Sequence, residues 1–176
     1  MNIHVSAFPA QIFRAYDIRG KVSVLSPQLV YAIAHALVQQ YKAAAQHELV
    51  IGYDARLTSP SYAKLIQNIC LQHGLQAELM GCCASPALYY EARHFNGNGI
   101  MVTASHNPKS DNGLKWIIQG EPPTPEMIQQ VATWAKLHFN PEQYVQLEDE
   151  PHTVVVKYCL DYQQGILNDI RLKSGF

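Results

Sequence analysis

Apolar and polar positions along this chain switch repeatedly between a helical period and short unbroken runs. Leu29, Ile33, Leu37 and Tyr41 recur at spacings of four, which makes one apolar stripe on a helix. Leu65 and Ile69 form a second stripe that closes at Gln72-His73-Gly74, where glycine suits a helix C-terminus. Four hydroxyl–proline pairs, Ser26-Pro27, Ser59-Pro60, Ser85-Pro86 and Thr124-Pro125, each precede helix-compatible sequence. A hydroxyl can cap the free N–H groups of a helix start, and proline fits the first turn because its missing N–H would be unpaired there. Between these helices lie apolar runs at 49–53, 75–81 and 99–103, short enough for buried strands. Asn112-Gly113 predicts a tight turn into a last strand at 114–118.

Strands alternating with helices predict a three-layer α/β/α domain around a mostly parallel mixed sheet. The pattern lapses near residue 140, and 141–152 reads as a linker. Its acidic run, Glu148-Asp149-Glu150, is a solvated stretch rather than a metal site. Helical spacing resumes over 153–171 with Val156, Leu160, Ile166 and Ile170. One helix cannot form a core of its own. The expectation is therefore an N-terminal α/β domain over 1–140, the linker, and 153–176 as the first helix of a truncated second domain.

Composition narrows the class without choosing within it. At 176 residues and 48% hydrophobic content, one domain can bury a core without metal or disulfide staples. A formal charge of −1 provides no general field towards nucleic acid or an anionic membrane. Cys70, Cys82, Cys83 and Cys159 make no C-x-x-C pair and have no histidine at a zinc-finger spacing. No apolar run approaches a bilayer span, and the first residues lack a signal-peptide layout. A cytoplasmic protein is expected, with no nucleic-acid or membrane partner.

Chemistry is concentrated in Val102-Thr103-Ala104-Ser105-His106-Asn107-Pro108, at the end of the run 99–103. In open α/β sheets ligands gather beyond the carboxyl ends of strands, so Ser105 is well placed to meet one. Taken alone, the segment fits equally a polar turn before Pro108. Ser105 is not in a G-x-S-x-G elbow, no G-x-x-x-x-G-K-[ST] loop occurs, and Gly97-Asn98-Gly99 precedes a strand instead of following one.

Three motifs in order resemble one family. Thr103-Ala104-Ser105-His106-Asn107-Pro108, followed by Asp111-Asn112-Gly113-Leu114-Lys115, resembles the active-site loop of the α-D-phosphohexomutases. Phe13-Arg14-Ala15-Tyr16-Asp17-Ile18-Arg19-Gly20 resembles the opening of their bacterial phosphomannomutase/phosphoglucomutase branch, which favours mannose or glucose phosphates over glucosamine phosphate. Ile51-Gly52-Tyr53-Asp54-Ala55-Arg56-Leu57 is similar to the family's Gly-x-Asp-x-Arg element, with Tyr53 where an arginine is common.

The resemblance implies that Ser105 carries a phosphoryl group. The family donates it to a bound hexose phosphate, forms a hexose bisphosphate that also serves as activator, and reclaims the other phosphate after the sugar reorients. It further implies that Ser105 is a Mg²⁺ ligand through its phosphate. Arg19 and Lys115 supply positive charge, His106 and Lys115 move the hydroxyl proton, and Tyr16, Arg19, Asn107 and Lys115 meet the sugar. The remaining metal carboxylates and the sugar- and phosphate-reading loops belong to C-terminal domains absent from this chain, so the chain alone is expected to be inactive.

Each residue has an ordinary reading by itself: Arg19 a surface arginine, Tyr16 a packing residue, His106 one of eight histidines, Lys115 a strand residue facing solvent. Asp54 and Arg56 read as a structural ion pair at a strand end. Two other classes stay open, a non-catalytic binding or scaffold module and a serine hydrolase. The second lacks an evident Asp-His pair for Ser105.

Overall fold

Five strands, β1 (Ile18–Lys21), β2 (Glu48–Tyr53), β3 (Gln76–Cys82), β4 (Gly99–Val102) and β5 (Asp111–Ile117), form one sheet in the computed structural model, which describes residues 8–170. Their order is β1-β5-β4-β2-β3. β2 pairs in parallel with β3 and β4, whereas β5 runs antiparallel to β4 and β1. All strands but β5 therefore point one way, as the expected mostly parallel mixed sheet requires.

Helices α1 (Pro27–Ala43), α2 (Ser59–Gln72) and α4 (Pro125–His138) cover one face, and α3 (Ser85–Glu91) with α5 (Val156–Asp169) covers the other. Strand alternation divides the core accordingly. Leu49, Ile51 and Tyr53 of β2 join Leu29, Ile33, Leu37 and Tyr41 of α1, while Val50 joins Met80, Leu88 and Met101 on the far side. The Tyr41 hydroxyl lies 3.0 Å from the carbonyl oxygens of Gly99 and Ile117, which pins α1 to the β4–β5 ladder. Trp116 donates to Gln40, and Gln40 in turn donates to the Met127 carbonyl, so one buried amide joins β5, α1 and α4.

Several expectations are corrected. Asn112-Gly113 is not a turn. Both residues lie inside β5, and the chain reverses instead through 103–110, so the Ser105 segment is itself the loop of the β4–β5 hairpin. Strand β1 was not anticipated. Its sequence Ile-Arg-Gly-Lys has one fully buried residue, Ile18, and sits at the sheet edge, so it carries no apolar run to read. Of the four hydroxyl–proline pairs, Ser26 and Thr124 cap their helices through Leu29 and Met127 N–H groups. Ser59 and Ser85 stand one residue inside α2 and α3, and neither helix has a side-chain cap.

The stretch 141–152 has no regular element, but it is tied down. Asn68 donates to Glu148, and the Tyr53 hydroxyl donates to the Pro151 carbonyl at 2.9 Å. Val154 then bridges Gly81, and α5 lies on α3, with Tyr158 buried and Tyr162 edge-on to Tyr90. Arg171 and the rest of 171–176, like residues 1–7, lie outside the described residues. No helix among the described residues is long and apolar enough to cross a membrane.

Candidate active site

β4 ends at Val102, and Thr103 and Ala104 are still buried before Ser105 and His106 emerge into solvent. Ser105 adopts φ 56°, a left-handed conformation that turns the loop sharply at this residue. Its Oγ lies 3.5 Å from His106 Nδ1, at the limit of hydrogen bonding.

On the adjacent strands, Arg19 of β1 and Lys115 of β5 converge on one carboxylate. Arg19 Nε donates to Asp17 Oδ2 at 2.7 Å, and Lys115 Nζ stands 3.8 Å from the same oxygen. The Asp17 side chain is 1% exposed, that of Arg19 11% and that of Lys115 30%. Lys115 therefore does not simply project into solvent. Arg19 also reaches Asn107 Oδ1 at 3.4 Å, and Asn107 Nδ2 donates to Asp111 at the start of β5. The structure thus links Arg19, Asn107 and Lys115, and sets Ser105 and His106 beside Asn107 in the loop. Tyr16 is 73% exposed and stands apart from this network.

Sequence reading passed over Asp17 as a site residue. It lies within the opening motif, but only the fold reveals that Lys115, far along the chain, shares it. Arg56, expected as the partner of Asp54, does more. That pair forms at 3.0 Å, but the guanidinium also donates to the carbonyls of Ser105, Asn107, Pro108 and Asp111. Asp54 accepts from Thr103 and Ser59, so the strand end, the loop and the start of α2 share one carboxylate. Tyr53, at the position where the family commonly has arginine, adds no charge. Its side chain is buried, its hydroxyl accepts from the Thr153 amide, and burial pushes its pKa up.

A cleft of about 760 Å³ opens beside the loop, lined by Asp54, Arg56, Leu57, Asn107 and Lys109 among others. Ser105, Arg19 and Lys115 do not line it, and Asn107 is the residue it shares with the Arg19 network. Among the described residues no group of three His, Cys, Asp or Glu side chains converges to hold a metal ion.

The chain is an α/β/α domain with a serine on the hairpin loop beyond its sheet and two cations gathered on one buried carboxylate. The family model described as phosphoglucomutase/phosphomannomutase, alpha/beta/alpha domain I matches residues 10–139. The chain belongs to that family. It is 38% identical over 123 residues to the phosphomannomutase/phosphoglucomutase of Pseudomonas aeruginosa, covering 69% of this chain and 27% of that protein. A phosphoglucomutase of Neisseria meningitidis is 29% identical over 164 residues, covering 92% of this chain and 35% of that one. A crystal structure of a phosphoglucomutase/phosphomannomutase family protein from Burkholderia thailandensis shares the fold. Its TM-score is 0.76 at 24% identity, with 94% of this chain and 37% of that one covered. The chain thus spans roughly a quarter to a third of these relatives' length.

Proposed function

We propose that this chain is the phosphoserine-bearing domain of a phosphohexomutase that interconverts hexose 1-phosphate and hexose 6-phosphate, with mannose or glucose as the sugar. Ser105 carries the phosphoryl group between half-reactions. A hydroxyl of the bound sugar attacks the phosphorus, the bond to Ser105 Oγ breaks, and a bisphosphorylated sugar results. After the sugar turns over, Ser105 Oγ attacks the other phosphate and releases the isomeric product. His106 and Lys115 are the groups within this chain suited to move the hydroxyl proton, a task worth about 10²–10⁴-fold. Arg19 and Lys115 offset the charge of roughly −1.5 to −2 that a phosphoserine brings. Tyr16, Arg19, Asn107 and Lys115 face the sugar.

The observation that supports this reading most is Ser105 itself, exposed at the carboxyl end of β4 on a loop tied to Arg19 through Asn107. Ser105, once phosphorylated, is the residue of this chain that would hold Mg²⁺; among the described residues no group of three His, Cys, Asp or Glu side chains converges to hold the ion by itself. When bound, Mg²⁺ polarises the phosphoryl group and neutralises charge. The exposure of Ser105 and Tyr16 also supports a need for the C-terminal domains to cover the substrate, so the chain alone is inactive. The unpaired thiols of Cys70, Cys82, Cys83 and Cys159 suit a cytoplasmic setting.

Phosphopeptide mapping of the full-length protein after incubation with hexose 1,6-bisphosphate and Mg²⁺ tests the assignment. Phosphate on Ser105, and loss of most turnover in Ser105→Ala, are expected. Phosphate found only on Thr103 or Ser110, or near-native turnover of Ser105→Ala, overturns it. Turnover of glucose 1-phosphate by the 176-residue chain alone contradicts the need for further domains.

A further inference from the structure

Both backbone polar groups of Ser105 are held by one closed ring of hydrogen bonds. Its N–H donates to Thr103 Oγ1 at 2.8 Å, and the Thr103 hydroxyl donates to Asp54 Oδ2 at 2.7 Å. Arg56 Nε donates to the same Oδ2 at 3.0 Å, and Arg56 Nη2 closes the ring on the Ser105 carbonyl at 2.9 Å. The other guanidinium donors go to the carbonyls of Asn107 at 2.8 Å, Pro108 at 2.6 Å and Asp111 at 2.9 Å. A guanidinium has five N–H donors, and here every one is engaged.

Two consequences follow from this arrangement. Three loop carbonyls and that of Asp111 at the start of β5, turned towards a common centre, repel one another unless a cation with spread donors sits between them, and a planar guanidinium meets that need where a single ammonium does not. The ring also spans the left-handed turn at Ser105, a backbone conformation that a side-chain-bearing residue keeps only when its surroundings impose it. With no donor left over, Arg56 is not available to bind a phosphate in this arrangement.

We infer that Arg56, with Asp54 and Thr103, is a positioning device: it fixes the backbone of Ser105, and with it the aim of Oγ, before phosphoryl transfer. This rests on the phosphoserine reading for its consequence but not for its geometry. Misplacing a reacting atom by about 1 Å can cost on the order of 10²-fold in rate. Arg56→Ala therefore lowers the rate of phosphoryl transfer at Ser105 by about 10²-fold, with KM for the hexose phosphate little changed.

Two measurements separate the device from the chemistry it serves. In the chain itself, amide exchange followed by NMR should show the Ser105 N–H losing protection in Arg56→Ala and in Thr103→Val, while the Met101 N–H in β4 stays protected. Arg56→Lys should not restore it, and guanidinium ion added far below denaturing concentration should, in Arg56→Ala. In the full-length protein, single-turnover transfer from hexose 1,6-bisphosphate should slow in the same variants and recover with guanidinium. If Arg56→Ala does not fold, Thr103→Val decides alone. Wild-type exchange at Ser105 and wild-type transfer in the folded variants overturn the inference. A wild-type protein that never takes phosphate on Ser105 overturns the phosphoserine reading, and the exchange data still decide the ring.

Discussion

The Lys115 ammonium stands 3.8 Å from the buried Asp17 carboxylate, joining β5 to the residue just before β1. The same oxygen accepts from Arg19 Nε, and the other, Oδ1, is buried with no hydrogen-bond partner among the described residues. One carboxylate thus holds two cations at the edge of the sheet, with one lone-pair side left over. Asp17→Asn removes the charge while keeping the shape. Hydrogen bonds to charged groups contribute about 1.5–3 kcal/mol, so a loss of that size is expected in urea unfolding. An unfolding midpoint equal to wild type shows that the cations do not depend on Asp17.

The two cations were legible as candidates through resemblance, but the carboxylate that gathers them was not. Periodicity finds apolar faces, and it locates α1, α2, β2 and β4 because each buries a continuous stripe or run, and β3 through Ala77, Met80 and Gly81. It has no hold on β1, whose place is set by pairing Ile18 with Leu114 and Arg19 with Gly113. Turn chemistry, for its part, misplaces the reversal at Asn112-Gly113 while still pointing to β5 after it. Asn112 is buried and donates to Thr58 and Ser59 at the start of α2, a tertiary demand that outweighs its turn preference. Ser59 has the local chemistry of a cap, and instead donates to Asp54. Polar residues that serve the site thus looked like punctuation in the sequence.

Tyr53 links the site to the stretch that follows α4. Its hydroxyl donates to the Pro151 carbonyl at 2.9 Å and accepts from the Thr153 N–H at 3.2 Å. Tyr53→Phe leaves the ring in the core and removes both bonds, at a cost of about 1–3 kcal/mol if each is worth about 0.5–1.5. The loss should be local. Proteolysis within 141–153 should speed up more than global unfolding does, and equal acceleration of both would contradict a local tether.

Three histidines from α1, the end of α2 and α4 meet in one cluster. His35 Nδ1 of α1 lies 3.0 Å from His73 Nε2, just beyond α2, and the His35 ring stacks on His138 of α4 at 5.3 Å. Tyr31 packs 4.5 Å from the same ring, and His35 Nε2 is buried without a hydrogen-bond partner among the described residues. Burial first, then His73 and His138, hold the His35 pKa down from 6.5 to about 4. The unfolded chain therefore binds a proton on His35 between those values while the folded chain does not. The stabilising contribution is present above 6.5 and is lost as pH falls towards 4. With screening by solvent at this partly exposed site, the loss is about 1–2 kcal/mol. His35→Phe keeps a ring in the stack and removes the titration, so its melting temperature should fall less over that pH range. A parallel fall in both proteins assigns the acid sensitivity elsewhere.

Ser105 offers a test of loop geometry that needs no phosphate. At φ 56° a side chain crowds the backbone, and the left-handed region costs a residue with a Cβ roughly 1–2 kcal/mol relative to its usual conformations. Glycine escapes that cost, but it loses more chain entropy on folding, about 0.5–1 kcal/mol relative to alanine at an ordinary position. The first effect is the larger here. Ser105→Gly should therefore be more stable than Ser105→Ala by up to about 1 kcal/mol, the reverse of their usual order. Both substitutions keep the backbone N–H and carbonyl that bind Thr103 and Arg56, so the ring survives in each, and both remove the only oxygen at this position that could carry a phosphoryl group. Equilibrium unfolding of the pair measures the strain. If Ser105→Ala is the more stable of the two, the left-handed turn is not held in solution, and the hydroxyl is not aimed by the backbone in the way the ring requires.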